Sequence, residues 1–302
     1  VAECYPFNGQ SHLLLLSDNH NSVNGIREHC KQKGGTYSYI YVDPKNELRI
    51  DEESLWENLK RGRRNTNKLF AYPAQSNVTG VKHDLCWIER AQTLGWDVLL
   101  DAAAFVPTNK LDLSNVHPDF VSISFYKIFG YPTGLGCLLV RKDSFTKLVK
   151  LGFAGGTISI VSVGAKRHFL APGPERYENG TINYLSMPAV EIGLNYINAI
   201  GMDNISERVG MLTGLLLDEL KSLVHDSGIK LIRIIGPETT WMRGGTITMN
   251  FYNQNGVEYP FEVIERGANA LNISVRTGCF CNPGIDELAH NISADELNAF
   301  FD

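Results

Sequence analysis

The chain has 302 residues, of which 43% are hydrophobic and 20% are charged, and its formal net charge is −5. This composition is typical of a globular protein long enough for two domains, and it gives no reason to expect a nucleic-acid partner. No apolar stretch approaches the roughly 20 residues that a membrane-spanning helix needs. The basic run Lys60-Arg61-Gly62-Arg63-Arg64 could bind nucleic acid, but a short charge run is more often a solvated helix end or loop.

The cysteines favour reduced thiols over a disulfide framework. Their spacing is irregular in a long chain, and the six positions are 4, 30, 86, 137, 279 and 281. We therefore expect a reducing compartment, the cytoplasm, and one or two functional thiols. The sequence does not start with Met, and Val1-Ala2-Glu3-Cys4 has the pattern of a helix interior, so we expect it to begin inside a domain.

The first half of the chain alternates short apolar runs with amphipathic segments. Strands are predicted over 13–16, 37–42, 69–72, 97–101, 120–124 and 136–141, with helices over 23–33 and 84–94. This alternation predicts βαβ units and an α/β fold with a mostly parallel central sheet. Ligand chemistry in such a sheet lies beyond the carboxyl ends of its strands.

The second half predicts a smaller α/β domain. Residues 152–180 are rich in Gly, Pro and Ser, which indicates a mobile active-site segment and a domain boundary. Beyond it, helices are predicted over 183–199, 202–225 and 259–267, and strands over 230–235, 245–251 and 272–275. We expect a large domain over 1–175 and a smaller one over 176–302.

Two strand ends together indicate a particular chemistry. Asp101 ends one apolar strand and Lys127 follows another. Alone, the acid would be read as a helix cap and the lysine as a surface residue. As a pair they fit pyridoxal 5′-phosphate (PLP), whose pyridine nitrogen needs a buried carboxylate and whose aldehyde needs a lysine amine. The glycine-rich stretch 130–136 can turn the chain sharply behind Lys127, and it matches no dinucleotide or P-loop fingerprint closely.

Three ordered motifs stand out, namely Asp101-Ala102-Ala103-Ala104, Ser124-Phe125-Tyr126-Lys127 and Pro132-Thr133-Gly134-Leu135-Gly136. They resemble those of class V, fold-type I PLP enzymes of the cysteine desulfurase group. Three further segments, at 17–23, 72–77 and 276–284, are similar to the N-terminal desulfurase portion of eukaryotic molybdenum cofactor sulfurases. The resemblance extends over essentially the whole chain.

The resemblance implies a cofactor-binding set for this sequence. His20 would stack on the pyridine ring, Asp101 would pair with its nitrogen, and Asn77 would approach its phenolic oxygen. Ser124 would hold the phosphate alongside Lys127. Thr181 would contact the phosphate in the partner subunit of a homodimer.

Simpler interpretations stay open for three of these residues. His20 could be an ordinary loop histidine. Asn77, which precedes Gly80, could be a turn residue, and Thr181 could cap the following helix. Gln75, beside Asn77, is a weaker candidate for a cofactor contact. Tyr126 stands where many desulfurases have a histidine.

The run Arg276-Thr277-Gly278-Cys279-Phe280-Cys281 follows a predicted strand and supplies a cation, a flexible glycine and two thiols. A desulfurase needs a mobile thiolate to accept sulfur. The family pattern implies Cys281 as that acceptor, with Cys279 a spare thiol or a resolving partner. Half of a metal site is an alternative, but no second Cys or His pair at matching spacing accompanies it. Cys4, Cys30 and Cys86 are predicted on helices and Cys137 in a strand.

The sequence therefore favours a PLP-dependent L-cysteine desulfurase that forms a persulfide on Cys281 and passes sulfur to molybdenum cofactor. Alternatives are a cysteine desulfurase or selenocysteine lyase with another acceptor, and an inactive PLP-fold scaffold. The resemblance implies that the phosphate loop, the substrate-carboxylate arginine and the domain that binds molybdenum cofactor lie outside these residues. Arg276 is a second candidate for that arginine. We expect the sequence to be truncated at both ends.

Overall fold

A computed structural model describes residues 1–61, 67–131 and 133–302. Residues 62–64 of the basic run and Pro132 of the glycine-rich motif lie outside the described residues. The reading of that run as a nucleic-acid patch therefore stays untested. Of its described members, Arg61 forms an exposed ion pair with Glu57 at 3.3 Å.

The strands carry labels in chain order. They are β1 (His12–Leu16), β2 (Thr36–Ile40), β3 (Val42–Asp43), β4 (Arg49–Ile50), β5 (Lys68–Pro73), β6 (Asp97–Asp101), β7 (Phe120–Ser124), β8 (Gly136–Val140), β9 (Ile158–Ser162), β10 (Arg167–Leu170), β11 (Ile232–Ile235) and β12 (Thr248–Phe251).

The α-helices are labelled in the same way. They are α1 (Asn21–Asn24), α2 (Ile26–Gln32), α3 (Glu52–Lys60), α4 (Cys86–Thr93), α5 (Phe125–Phe129), α6 (Lys142–Phe145), α7 (Pro188–Ile200), α8 (Met202–Ser222), α9 (Phe261–Ala270), α10 (Pro283–Ala289) and α11 (Ala294–Phe301). Within the described ranges, no helix is both long and apolar enough to cross a membrane.

A six-stranded sheet with the order β2-β1-β5-β6-β7-β8 forms the centre of the fold. Strands β2, β1, β5, β6 and β7 are parallel, and β8 pairs antiparallel with β7. This confirms the predicted α/β fold with a mostly parallel sheet. Its central strands are buried on both faces, which is why they are nearly continuous apolar runs.

Alternate residues of these strands pack into two separate cores, because successive side chains point to opposite faces of a sheet. On one face, Leu14, Phe70 and Leu100 pack with Trp87 and Ile88 of α4. The other face carries the intervening residues Leu13, Leu15, Leu69, Ala71, Leu99 and Phe120. The sheet is thus covered on both sides, and its strand ends are left for loops.

The sequence predictions for the first half are confirmed in element type, with one divided helix and with the strand over 37–42 divided into β2 and β3. The segment predicted as a helix over 23–33 forms α1 and α2, which join at Gly25. The first residues form a single turn instead of a helix interior, with the Tyr5 amide donating to Val1 O at 2.8 Å. Cys4 therefore lies in a turn. Cys30, Cys86 and Cys137 lie in α2, α4 and β8 as predicted.

Two predictions for the second half are wrong in detail, and one pair of strands was not predicted. The segment 152–180 contains a β-hairpin of β9 and β10. Helix α7 begins at Pro188, not near residue 183, because proline is well suited to the first helical position and residues 183–187 form turns. No strand forms over 272–275. Asn272 instead has a left-handed φ of 58°, and Ile273 N donates to Ala268 O, so this segment ends α9. The boundary near residue 175 stays a prediction.

Candidate active site

Loops from neighbouring parallel strands bring the predicted site residues to one edge of the sheet. Strands β1, β5, β6 and β7 are adjacent and parallel, so their carboxyl ends lie side by side. Asp101 ends β6, and Ser124 ends β7. His20 and Asn77 follow the ends of β1 and β5 within four residues. The topology thus gathers four of the candidate residues, as expected for ligand sites in such sheets.

Asp101 is buried, with only 9% of its surface exposed. Its Oδ1 accepts hydrogen bonds from Ser122 Oγ at 3.0 Å and from the Ala103 amide at 3.1 Å. Ser122 is also its register partner on β7. Among the described residues, Oδ1 accepts both of these hydrogen bonds and Oδ2 has no protein partner.

Lys127 and Ser124 follow β7 directly. Ser124 is the N-cap of α5, but its hydroxyl makes no capping hydrogen bond. Lys127 is exposed in α5, and its Nζ forms no ion pair with any described residue. Gly130 then ends α5 with a left-handed φ of 81°. The predicted sharp turn behind Lys127 is confirmed, since glycine adopts this conformation without steric cost.

His20 caps α1, with Nδ1 accepting from the Ser22 amide at 3.1 Å. Burial lowers the pKa of His20 from its usual value of 6.5, and the positive charges of Lys127 and Arg276 lower this pKa further. The Asp101 carboxylate acts in the opposite direction. The sensitivity of this one imidazole to all three groups means that they share one electrostatic environment.

The loop from Arg276 to Gly284, here called the Cys loop, is hydrogen-bonded to this edge. Asn77 Nδ2 donates to Phe280 O at 2.9 Å, and the Asn21 amide donates to Cys281 O at 2.7 Å. Cys281 therefore lies beside the residue that follows His20. The nitrogen and the oxygen of the Asn77 side-chain amide are thus both hydrogen-bonded, since its Oδ1 accepts from Asn282 Nδ2. Asn77 also lies in the turn before Gly80, so the turn interpretation describes its backbone correctly.

The four cysteines outside the Cys loop lie in environments that disfavour the thiolate. All six cysteines are free thiols, and Cys86, Cys279 and Cys281 are exposed. Desolvation raises the pKa of Cys4 and Cys137, and it raises that of Cys30 to about 11. The same effect, assisted by Asp84, raises the pKa of Cys86 to about 11. These four thiols are disfavoured as nucleophiles, since the thiolate is the reactive form.

The remaining candidates occupy varied positions. Gln75 is buried and accepts a hydrogen bond from Asn109 at 3.3 Å. Tyr126 is 41% exposed. The Arg276 guanidinium lies 5.6 Å from the centre of the Phe280 ring. Thr181 is exposed and is not the cap of α7, whose N-cap is Met187, so the capping alternative is wrong.

One buried residue and one buried pair of residues near the site were given no role from the sequence. Asn282 is fully buried between the Cys loop and the loop after β1. Asp18 and His83 form a buried pair, with Oδ2 and Nε2 2.8 Å apart. An Asn-Pro pair is a recognisable helix start and could have drawn attention to Asn282. The Asp18–His83 pair has no local signal, because its members are far apart in sequence. No group of three or more metal-ligating side chains occurs in the described ranges.

The family model of class-V aminotransferases matches residues 1–294. The chain belongs to this family. Molybdenum cofactor sulfurase 3 of Aedes aegypti is 34% identical over the whole of this chain and 41% of its own length. Human molybdenum cofactor sulfurase is 34% identical, over the whole chain and 36% of its own length. The chain thus spans about two fifths of the length of these relatives.

Two solved structures share this fold. The apo structure of a cysteine desulfurase from Thermococcus onnurineus NA1 matches with a TM-score of 0.79 and 24% identity, over 99% of this chain and 73% of that one. A C-DES mutant with glycine covalently linked to its PLP cofactor matches with a TM-score of 0.72 and 17% identity, over 96% of this chain and 76% of that one. The predicted fold-type I architecture is confirmed.

Proposed function

We propose that this class-V chain is the desulfurase portion of a molybdenum cofactor sulfurase. It takes sulfur from L-cysteine onto Cys281 as a persulfide and supplies it to molybdenum cofactor. The observation that carries the proposal is the hydrogen bonding of Cys281 and Phe280 to Asn21 and Asn77. These contacts join an exposed thiol to the loop that carries His20, at the edge formed by Asp101, Ser124 and Lys127.

The polar groups at this edge fit PLP. Asp101 Oδ2, which has no partner among the described residues, suits a protonated pyridine nitrogen. The Ser124 hydroxyl, which makes no capping bond, suits a phosphate, and the Lys127 amine suits the aldehyde. His20 would stack on the ring, and its lowered pKa favours the neutral imidazole. When bound, PLP supplies an electron sink that makes the Cα proton of an amino acid removable.

Within this arrangement each side chain has a defined task. Lys127 would remove the proton from Cα of the substrate and later return one to carbon. The Cys281 thiolate would attack the substrate sulfur. Overall, cysteine and the Cys281 thiol become alanine and the Cys281 persulfide. The Cβ–S bond breaks, an S–S bond forms and a proton ends on carbon, so no external oxidant is needed.

The assignment of the acceptor rests on the relatives. Two molybdenum cofactor sulfurases align with the whole chain at 34% identity. Their greater length leaves room for an acceptor-binding region beyond the residues aligned here. We propose a homodimer in which Thr181 serves the partner's phosphate site, and a cytoplasmic location, which the six free thiols favour.

The test measures two quantities on the purified protein: the visible absorption of lysine-bound PLP, and the mass of the Cys281 peptide after exposure to L-cysteine. We expect the absorption to disappear on borohydride treatment and to be absent in Lys127→Ala, with persulfide formation reduced by at least about 100-fold. Cys281→Ala should keep the absorption and form no persulfide, whereas Cys279→Ala should retain transfer. A protein that cannot be loaded with PLP would contradict the proposal, and loss of transfer in Cys279→Ala alone would reverse the assignment of the acceptor.

A further inference from the structure

Cys281 occupies a tight turn of unusual backbone conformation. Phe280 and Cys281 have φ angles of 54° and 57°, both in the left-handed region. The backbone amide of Asn282 donates to Cys279 O at 2.9 Å, which closes a turn with Phe280 and Cys281 at its centre. A reverse turn with two left-handed central residues normally uses Gly, Asn or Asp, since other side chains are strained there. Such strain persists only where the surroundings over-determine the conformation.

The carbonyl groups of the two strained residues are both held from outside the turn. Phe280 O accepts from Asn77 Nδ2, 203 positions earlier in the chain, at 2.9 Å. Cys281 O accepts from the Asn21 amide at 2.7 Å. The turn is thus fixed by the two loops that follow β1 and β5, which are the loops that carry His20 and Asn77.

Asn282 joins these loops through its side chain, which is fully buried. Its Nδ2 donates to Asp18 O at 2.8 Å and to Asn77 Oδ1 at 3.0 Å. Its Oδ1 accepts from the Ile285 amide at 3.4 Å and so caps α10. A primary amide has two donor hydrogens and an acceptor oxygen, and each of them has a partner here. Aspartate has the same shape without the donors, and serine is a comparable helix cap whose single, shorter O–H donor cannot make both bonds.

We propose that Asn282 is a positioning residue for sulfur transfer. Its side-chain amide joins Asp18 and Asn77 to the end of the strained turn. This holds the backbone of Cys281 beside His20 and presents the thiol to the substrate sulfur. This inference rests on the proposed desulfurase function. It goes beyond that function by assigning the placement of the nucleophile to a buried amide outside the cofactor-binding set.

The experiment compares wild type, Asn282→Asp and Asn282→Ser, loaded with PLP, in a single turnover with L-cysteine. The rate of persulfide formation on Cys281 is followed by mass spectrometry at saturating and limiting cysteine. We expect Asn282→Asp to lower the rate at saturation by about 100-fold, the effect of a displaced reacting group, while the cysteine concentration for half-saturation stays unchanged. Asn282→Ser should show the same pattern.

The matched control is Ser293→Ala, which removes a side-chain cap from α11 in the same part of the chain without touching the Cys loop. It should react at the wild-type rate. A small external thiol supplied in excess should restore alanine release in both Asn282 variants, because it replaces the misplaced Cys281. A merely structural role would leave alanine release low under those conditions.

The outcomes separate the two proposals. A wild-type protein that loads PLP but forms no persulfide overturns the proposed function. If the wild type forms the persulfide and both Asn282 variants form it at the wild-type rate, the positioning role is overturned. If Asn282→Asp does not fold by circular dichroism, Asn282→Ser decides: a wild-type rate contradicts the proposal, and a loss that external thiol restores supports it.

Discussion

His20 is the side chain through which the electrostatics of the site can be measured without any cofactor. Burial lowers its pKa, Lys127 and Arg276 add to this effect, and Asp101 opposes it. A lowered folded-state pKa means that the folded protein binds fewer protons than the unfolded chain just below pH 6.5. The contribution of His20 to stability is therefore present above that pH and is lost as the pH falls through its folded-state pKa.

We predict that NMR titration of cofactor-free protein gives His20 a midpoint below 6.5. Lys127→Ala should raise this midpoint because it removes a positive charge, and Asp101→Asn should lower it. His12 is an internal control, since burial alone lowers its pKa, and its midpoint should not change in either variant. Unchanged His20 midpoints in both variants would mean that these groups do not share one site.

At the scale of elements, the contact between α10 and the end of β1 determines whether the Cys loop can reach the site. Gly284 lies in the first turn of α10, and a Cβ atom built there would stand 2.0 Å from Ser17 O. Only glycine permits this approach. Ser17 begins the loop that carries His20, so this contact and the Asn282 hydrogen bonds hold the same two segments together.

We predict that Gly284→Ala lowers the free energy of unfolding by about 1–3 kcal/mol, since overpacking costs this much even in favourable cases. The control is Gly267→Ala in α9, where an added Cβ meets nothing within 4 Å. That variant should gain up to about 1 kcal/mol from the better helix propensity of alanine. Urea unfolding of both variants tests the prediction, and equal midpoints would show that α10 can move without cost.

At the scale of the whole molecule, the proposed homodimer divides the proposed site between two subunits. Lys127 lies at the carboxyl edge of the sheet, whereas Thr181 is exposed and follows Asn179, which accepts a hydrogen bond from Lys150 at 2.5 Å. Lys150 adjoins Val149, whose backbone amide donates a hydrogen bond to Cys4 O in the N-terminal turn. The segment before Thr181 is thus packed against a different part of its own chain.

We predict that Thr181→Ala weakens PLP binding by about tenfold or more, because a hydrogen bond to a charged group contributes roughly 1.5–3 kcal/mol. Mixed dimers identify the subunit on which it acts. Co-expression of Thr181→Ala with Lys127→Ala chains should give one intact site in each mixed dimer and restore activity at limiting PLP. If Thr181 acts within its own chain, the mixture will be no more active than the two variants measured apart.

Much of the fold follows from local patterns in the sequence. The apolar runs that end at Leu16, Tyr72 and Leu100 predict buried parallel strands, because burial on both faces requires continuous hydrophobicity. The hairpin of β9 and β10 was missed because its exposed face, with Ile160 and Phe169 60% and 61% exposed, gives no buried periodicity. Its run of β-branched residues from Ile158 is the signal that could have revealed it.

By itself the sequence determined which residues stand at strand ends, and therefore that Asp101, Ser124, His20 and Asn77 would meet at one edge of a parallel sheet. Hydrophobic period is a local property, and the helical crossovers between these strands favour parallel pairing, which brings their carboxyl ends to one edge. Only the tertiary structure decided that Cys281 lies at the same edge. Its position depends on hydrogen bonds that span 203 to 264 positions, made by Asn77 and Asn282. Contacts of such long range leave no pattern in the neighbouring sequence, because their partners become neighbours only when the sheet has formed.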